Sequence, residues 1–437
     1  MPSSWENWSG SVHAQPAVIR YPTTLNEIAA IVREASARGV GVRAVGAGHS
    51  FTPLAATDGM LVSLDRFAGL ESVDFTTRRA TVRAGTRIKA LGEELAHHGL
   101  AQANLGDIDV QSIAGAISTG THGTGAALGS IATQVVELTL VTGTGEIVTC
   151  SEEHNRELFK AAQVSLGALG IIALVTLQLE PAYRLDYRWA REPLAATLAN
   201  LEYERLENRN FEFYWFPYSE WALVKRSNRT EAPARPRNIL RGFNDLVMEN
   251  GAFWVLSELC RLRPQLSPRM ARLAGDLISG GQDVNASHRV FATTRLVRFQ
   301  EMEYSIPAGA MAEAVRMIDA RIRQQGILVH FPIECRYVRA DDIDLSPAYA
   351  RDSAYIAVHM YRGMPYRDYF AQIEPILRSF GGRPHWGKLH TLAAAELRPL
   401  YPRWDAFAAA RRQLDPAGVF QNDYLRALLG DVREEAV

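Results

Sequence analysis

The chain has 437 residues, 47% hydrophobic and 22% charged. That is globular composition, long enough for two or three domains and for a core that needs no disulfide or metal staple. Lys and Arg number 47 against 48 Asp and Glu, a balance that offers no basic field to nucleic acid or to an anionic membrane. Cys150, Cys260 and Cys335 are far apart and form no CxxC pair, which argues against a disulfide framework or a cysteine zinc site and for a reducing cytoplasm; no metal is expected. The amino terminus lacks a basic region followed by an apolar run, so no secretory signal is expected. The longest apolar stretch, Leu166 to Leu179, is too short to span a bilayer, so no transmembrane segment is expected.

The first third alternates helices and strands. Thr24-Leu-Asn-Glu27 reads as a capping box, with Ile28, Ile31, Val32 and Ala35 as the apolar helix face and Gly39 as the stop. A strand from Val40 to Val45 runs into Gly46-Ala47-Gly48-His49-Ser50. Strands at Leu61 to Leu64 and Ala80 to Ala84 and a helix from Thr86 to Gly99 follow. Val135 to Val141 and Glu146 to Thr149 flank Thr142-Gly143-Thr144-Gly145 as a hairpin. Gly167 to Glu180 reads as a glycine-rich turn entering a buried strand. Beyond Pro181 come an aromatic strand, Phe211 to Phe216, and a proline-bearing loop, Glu231 to Arg237. An amphipathic helical stretch over 239–280 is read as packed on its own domain, with membrane contact as the other reading. A helix from Ala310 to Gln325 ends at Gly326, and strands follow at Ile327 to Val338 and Tyr355 to Tyr361.

Gly46-Ala-Gly-His-Ser-Phe51 is a broken dinucleotide fingerprint: Phe51 replaces the third glycine, and no acidic residue closes a βαβ unit. Two glycines after a strand still let backbone N–H groups form a nest for phosphate oxygens. A second segment, Ser112 to Gly125, has small residues at nearly every position and one charge-capable side chain, His122. Its use is close backbone approach to something flat or phosphorylated, and the two loops together suggest a nucleotide site that is not of the Rossmann type. Period-2 alternation puts His330, Glu334 and Arg336 on one face of the Ile327–Val338 strand, and Tyr355, Ala357, His359 and Tyr361 on one face of the next.

Val45-Gly-Ala-Gly-His-Ser50, the Ala114–Gly125 loop and His385-Trp-Gly-Lys388 together resemble the aldonolactone oxidoreductases of the vanillyl-alcohol oxidase flavoprotein superfamily. That family includes L-gulono-1,4-lactone and D-arabinono-1,4-lactone oxidases and alditol oxidase. Phe211 to Pro217, Glu334-Cys-Arg336 and Asp415 to Asn422 extend the resemblance over nearly the whole chain. It implies an α+β fold: a two-subdomain FAD-binding domain (1–180), a mixed-sheet cap or substrate domain (181–384), and a C-terminal segment (385–437) returning to the FAD domain. The implied cofactor is FAD, attached through His49, the position of the family's flavin-linking histidine. The loop from Asp107 to Gly123 has no cysteine, so one bond at most is expected. Gly46, Ala47, Gly48, His49, Ser50, Ser112, Gly115, Ser118, Thr121, His122, Gly123, Gly170, Ile172 and Asn422 are the implied cofactor contacts. Glu334, Arg336, Lys388 and His359 are the implied catalytic face.

The resulting expectation is an enzyme that oxidises a secondary alcohol of an aldono-1,4-lactone by hydride transfer to flavin, the flavin carrying the redox chemistry. An alditol oxidase acting on xylitol- or sorbitol-like polyols is the nearest rival, followed by a redox-inactive carbohydrate-binding flavoprotein and a nicotinamide dehydrogenase. The electron acceptor is left open among dioxygen, a quinone and a cytochrome. In such enzymes small residues over the flavin influence oxygen access, and Ala114, Gly115 and Ala116 are the candidates.

Overall fold

The Val18–Arg20, Met60–Ser63 and Val42–Val45 strands form a small parallel sheet with Met60–Ser63 in the centre. This is a computed structural model, which describes residues 4–234, 250–291 and 297–433. The helix Leu25–Ala37 buries Ile28, Ala29, Val32 and Ala35 against strands of a second sheet. Its start is capped as the sequence implies: the Thr24 hydroxyl accepts from the Glu27 N–H, although the Glu27 carboxylate reaches Thr23 rather than Thr24. Gly39, at φ +62°, supplies the left-handed stop. The second sheet is antiparallel, in the order Ile147–Ser151, Val135–Val141, Ile171–Gln178, Arg79–Arg83, Leu70–Asp74. The Leu70–Asp74 edge strand had no clear signal in the sequence.

The third sheet has eight strands, in the order Gly281–Ala286, Arg184–Pro193, Trp221–Thr230, Asn210–Trp215, Ile333–Val338, Ser353–Tyr361, Phe299–Pro307, Arg383–Pro384. Its sheet, expected to be mixed, is antiparallel at every pairing. The expected strand from Ile327 begins only at Ile333. Pro332 has no N–H for a ladder, and a tight turn joins Val329 to Ile327. His330 is therefore not on the Glu334 face; it bonds to Ser257 instead. Of the 239–280 stretch, residues 239–249 lie outside the described residues, as do 235–237 of the proline-bearing loop. The rest is two helices, Asn250–Leu262 and Ser267–Asp276, joined by a 3-10 turn. Ser257 and Cys260 face inward, whereas Trp254, Val255, Leu259 and Leu262 are exposed. Among the described residues no helix is long and apolar enough to cross a membrane.

From Trp404 to Arg433 the chain packs against the first two sheets and the elements beside them. Val42 N–H bonds to the Val419 carbonyl. Asn422 caps the Asp423–Leu429 helix and donates to the carbonyls of Pro53 and Ala56. Arg43, in the Val42–Val45 strand and 3% exposed, donates to four carbonyls: Leu54, Leu166, Gly167 and Phe420. Three separate stretches of chain thus meet on one guanidinium. Arg43→Met keeps the apolar stem but strands those acceptors, and it should cost about 3 kcal/mol or more, given 1–3 kcal/mol for each buried group left unsatisfied. Denaturant melts of the two proteins check this; a loss under about 1 kcal/mol would mean that water replaces the guanidinium.

Candidate active site

Gly48 takes φ +66°, which turns the chain out of the Val42–Val45 strand and into the glycine loop. A Cβ on Gly46 would lie 2.0 Å from the Ser112 hydroxyl, and one on Gly170 would lie 2.6 Å from the Val141 carbonyl. The two glycine-rich loops therefore touch where the Ser112 hydroxyl packs on Gly46, an approach that only a residue without a Cβ allows. Between them runs a cleft of about 900 Å³, partly open to solvent. It is lined by Arg43, Gly46, Ala47, Gly48, His49, Ser50, Ser112, Ala114, Gly115, Ser118, Leu166, Gly170 and Ile172. A long, flat ligand with phosphates suits this cradle of small side chains and backbone. Ala116, fully buried, does not line it.

A second cleft of about 650 Å³ meets the first at His49, Ser50, Gln111 and Thr119. Its wall comes from the eight-stranded sheet. Glu334 and Arg336 pair with each other; Arg336 also holds Glu212 at 2.8 Å and Asp107 at 3.4 Å, and the Tyr214 hydroxyl donates to Glu334. Lys225 supports Glu212 from behind at 3.1 Å. On the adjoining Phe299–Pro307 strand, Glu301 pairs with Lys388 and faces His359 at 3.4 Å, while Glu303 faces His122 at 3.2 Å. The Lys388 ammonium also lies 5.1 Å from the Phe51 ring centre. The Gly387 carbonyl accepts the Phe51 N–H, which ties the late signature directly to the first glycine turn.

Electrostatics follow from this packing. Burial pushes the Glu301 carboxyl up, but Lys388 and His359 outweigh it and hold the group at about 2. Glu303 is likewise raised by burial and brought well below its ordinary value by His122, His385 and Lys388. Burial lowers His385 to about 3, against the opposing pull of Glu303. His49 is lowered to about 4 by burial and then by Lys388 and Arg87, so its imidazole is neutral at pH 7. It stacks on Trp8 with ring centres 5.1 Å apart.

Two buried groups, His122–Glu303–His385 and Glu301–Glu334–His359, are spaced closely enough for a metal ion. The first is poorly suited: His385 Nδ1 accepts from the Gly387 N–H, so its Nε2 carries the hydrogen and is not a free ligand. In the second, Lys388 and Arg336 already serve as cations for the carboxylates.

Of the residues singled out from the sequence, ten cofactor candidates line the first cleft: Gly46, Ala47, Gly48, His49, Ser50, Ser112, Gly115, Ser118, Gly170 and Ile172. Thr121 and His122 line the second cleft instead, with Glu334, Arg336 and Lys388. Gly123 and Asn422 line neither. Gly123 packs on the Leu105 carbonyl, and its own carbonyl meets His122 Nδ1. His359 also lies off the cleft, behind Glu301, with Nδ1 on the Pro332 carbonyl. Asp107, Glu212, Tyr214, Glu301 and Glu303 were missed. A signal for the last two existed: Glu301-Met-Glu303 puts two carboxylates on one face of an otherwise apolar strand.

Residues 16–151 match the FAD binding domain model, and residues 175–428 match the D-arabinono-1,4-lactone oxidase model. The chain belongs to the D-arabinono-1,4-lactone oxidase family. Among its relatives, the L-gulono-1,4-lactone dehydrogenase of Mycobacterium tuberculosis is 42% identical, covering 98% of this chain and 99% of that protein. The L-gulonolactone oxidase of Bos taurus is 34% identical (96% and 97%), and the alditol oxidase of a Streptomyces species 31% (98% and 100%). The fold is that of the cholesterol oxidase of B. sterolicum, at TM-score 0.80 and 20% identity over 98% of this chain and 97% of that one. This is the vanillyl-alcohol oxidase type of FAD-binding fold.

The depressed groups set an acid profile. Half-buried His49 and buried His385 resist protonation in the fold but take it up when unfolded, so their contribution is present above about 6.5 and is lost as pH falls toward 3–4. Glu301 follows from about 4.5 down to about 2. The thermal midpoint of the apoprotein should fall from pH 7 to pH 5 and more steeply below pH 4.5, and Glu301→Gln should flatten the lower limb. A midpoint that is level between pH 7 and pH 5 in scanning calorimetry refutes the assignment of neutral buried histidines.

Proposed function

We propose that this protein holds FAD covalently through His49 and oxidises a secondary alcohol of an aldono-1,4-lactone, of the L-gulono or D-arabinono type. The observation that carries this reading is the junction of the two clefts. A backbone-lined cradle opens at His49 onto a wall that presents Glu334, Arg336 and Lys388. The cradle fits FAD, since it is lined by backbone and small side chains, among them Gly46, Ala47, Gly48, Ser112, Ala114 and Gly115. A neutral, half-buried His49 imidazole has the lone pair that a bond to the flavin 8α carbon requires.

FAD, when bound, supplies the acceptor for the hydride leaving the carbinol carbon. The protein orients the lactone and handles charge. Arg336 and Lys388 donate to the oxygen as it gains negative charge, and Glu334 holds or accepts the hydroxyl proton. Arg336 is already surrounded by three carboxylates, so a further carboxylate would meet like charge there, while N–H donors remain for a hydroxyl oxygen. A neutral lactone therefore suits the cleft better than the corresponding sugar acid.

We also keep the division into 1–180, 181–384 and 385–437: Arg383–Pro384 is the last strand of the cap sheet, His385 to Leu389 bridge the cap and the first glycine turn, and from Trp404 onward the chain packs on the first domain. Ala114 and Gly115 line the cofactor cleft and are the candidates for controlling access of dioxygen, with a quinone or cytochrome as the other acceptors. Three buried free thiols support a reducing cytoplasm.

Acid-precipitated holoprotein should stay yellow with a mass greater by one FAD, and His49→Ala should release the flavin. A colourless precipitate overturns the linkage. In anaerobic stopped-flow mixing, L-gulono-1,4-lactone should bleach the flavin faster than xylitol; the reverse order selects the alditol reading. Arg336→Ala and Lys388→Ala should each slow bleaching by about 10²–10³-fold with FAD content unchanged. Rates within about threefold of the parent, far short of that loss, would make both residues structural.

A further inference from the structure

We propose that Glu301 is a positioning residue, the group that holds the Lys388 ammonium in the substrate cleft; this rests on the reading of Lys388 given above. Glu301 lies on the Phe299–Pro307 strand and is 4% exposed. One carboxylate oxygen takes the Lys388 ammonium and the other faces His359 Nε2 at 3.4 Å. His359 is fixed in turn, because its Nδ1 meets the Pro332 carbonyl at 2.9 Å.

The same strand grips the His385–Lys388 segment by its main chain. The Leu389 N–H donates to the Glu301 carbonyl at 2.9 Å, and the His385 N–H donates to the Glu303 carbonyl at 3.0 Å. Substitution of the Glu301 side chain leaves both bonds in place, so the backbone of the signature keeps its path while the side chain loses its anchor. A lysine has four rotatable bonds, and fixing them costs up to about 2 kcal/mol of rotamer freedom. Glu301 meets that cost within the folded protein, before substrate arrives. An ammonium has three donors, and among the described residues the hydrogen bond of Lys388 goes to Glu301. The remaining donors are available to a ligand in the cleft that Lys388 lines.

This places Glu301 beside Lys388 in function without contact with the reacting atoms, so the two substitutions should not be independent. Glu301→Gln, which keeps the shape and removes the charge, should slow anaerobic flavin reduction by L-gulono-1,4-lactone roughly 10- to 100-fold, the scale of a misplaced catalytic group. Lys388→Met should slow it as much or more, and the double variant should be no slower than Lys388→Met alone. Glu301→Asp, with the charge restored on a shorter arm, should recover part of the rate; it also serves if the glutamine variant folds poorly. Independently of turnover, calorimetry with a 2-deoxy lactone, which has no hydroxyl to oxidise at that carbon, should show weaker binding to Glu301→Gln than to the parent.

Multiplying losses in the double variant, or a Glu301→Gln rate within about twofold of the parent beside a slow Lys388→Met, would overturn the positioning role alone. A Lys388→Met protein that reduces its flavin at the parental rate would overturn the role of Lys388 and this proposal with it.

Discussion

Arg43 is the constraint on which the rest of the molecule depends. The flavin cradle is assembled from backbone, and backbone has no side chains with which to hold itself in shape. The 3-10 turn at Leu54, the left-handed Leu166–Gly167 corner and the C-terminal segment at Phe420 are remote in sequence. One buried guanidinium satisfies a carbonyl at Leu54, one at Phe420 and two at the corner. Five N–H donors in a rigid plane make arginine the side chain for this task. With those stretches fixed, Gly46 and Ser112 can approach until no Cβ fits between them, and the cradle acquires its width.

The cap contributes a wall whose chemistry is set by burying charge in compensating sets. Arg336 stands among Asp107, Glu212 and Glu334, and Glu301 and Glu303 answer Lys388, His122 and His385. Each member would be costly alone in a low dielectric. Together they form a polar surface already oriented before any ligand arrives, which is the condition for electrostatic stabilisation to favour a transition state over water. The wall and the cradle are also joined by hydrogen bonds close to the site: the Phe51 N–H, two residues beyond His49, donates to the Gly387 carbonyl in the late signature. Thr124 and Gly125 of the second loop bond to Phe211 and Tyr337 of the cap sheet. The glycine loops and the eight-stranded sheet are thereby registered where the two clefts meet.

Much of this was legible in the residues themselves. The cap at Thr24, the stop at Gly39, the hairpin around Gly143 and the helix ended by Gly326 all follow from local conformational preference, which is written within a few positions. The glycine loops were legible for the same reason, since small residues in an unbroken run have no packing role to play. The strand expected from Ile327 starts only at Ile333, because Pro332, a local signal, has no N–H for the ladder. Local rules failed where a distant partner decided the outcome: His359 faces the back of Glu301 rather than the cleft.

The sequence by itself determined the α+β class, the FAD cradle, the residues at its turns and the family to which the chain belongs. Each of these is carried by short-range patterns and by motifs whose order survives without a structure. Only the tertiary structure decided that Thr121 and His122 line the second cleft, that Gly123 and Asn422 serve packing and capping, and that Glu301 and Glu303 stand among the cations. The reason is physical: a charge is placed by the partner that makes its burial tolerable, and here those partners lie tens to hundreds of residues away along the chain.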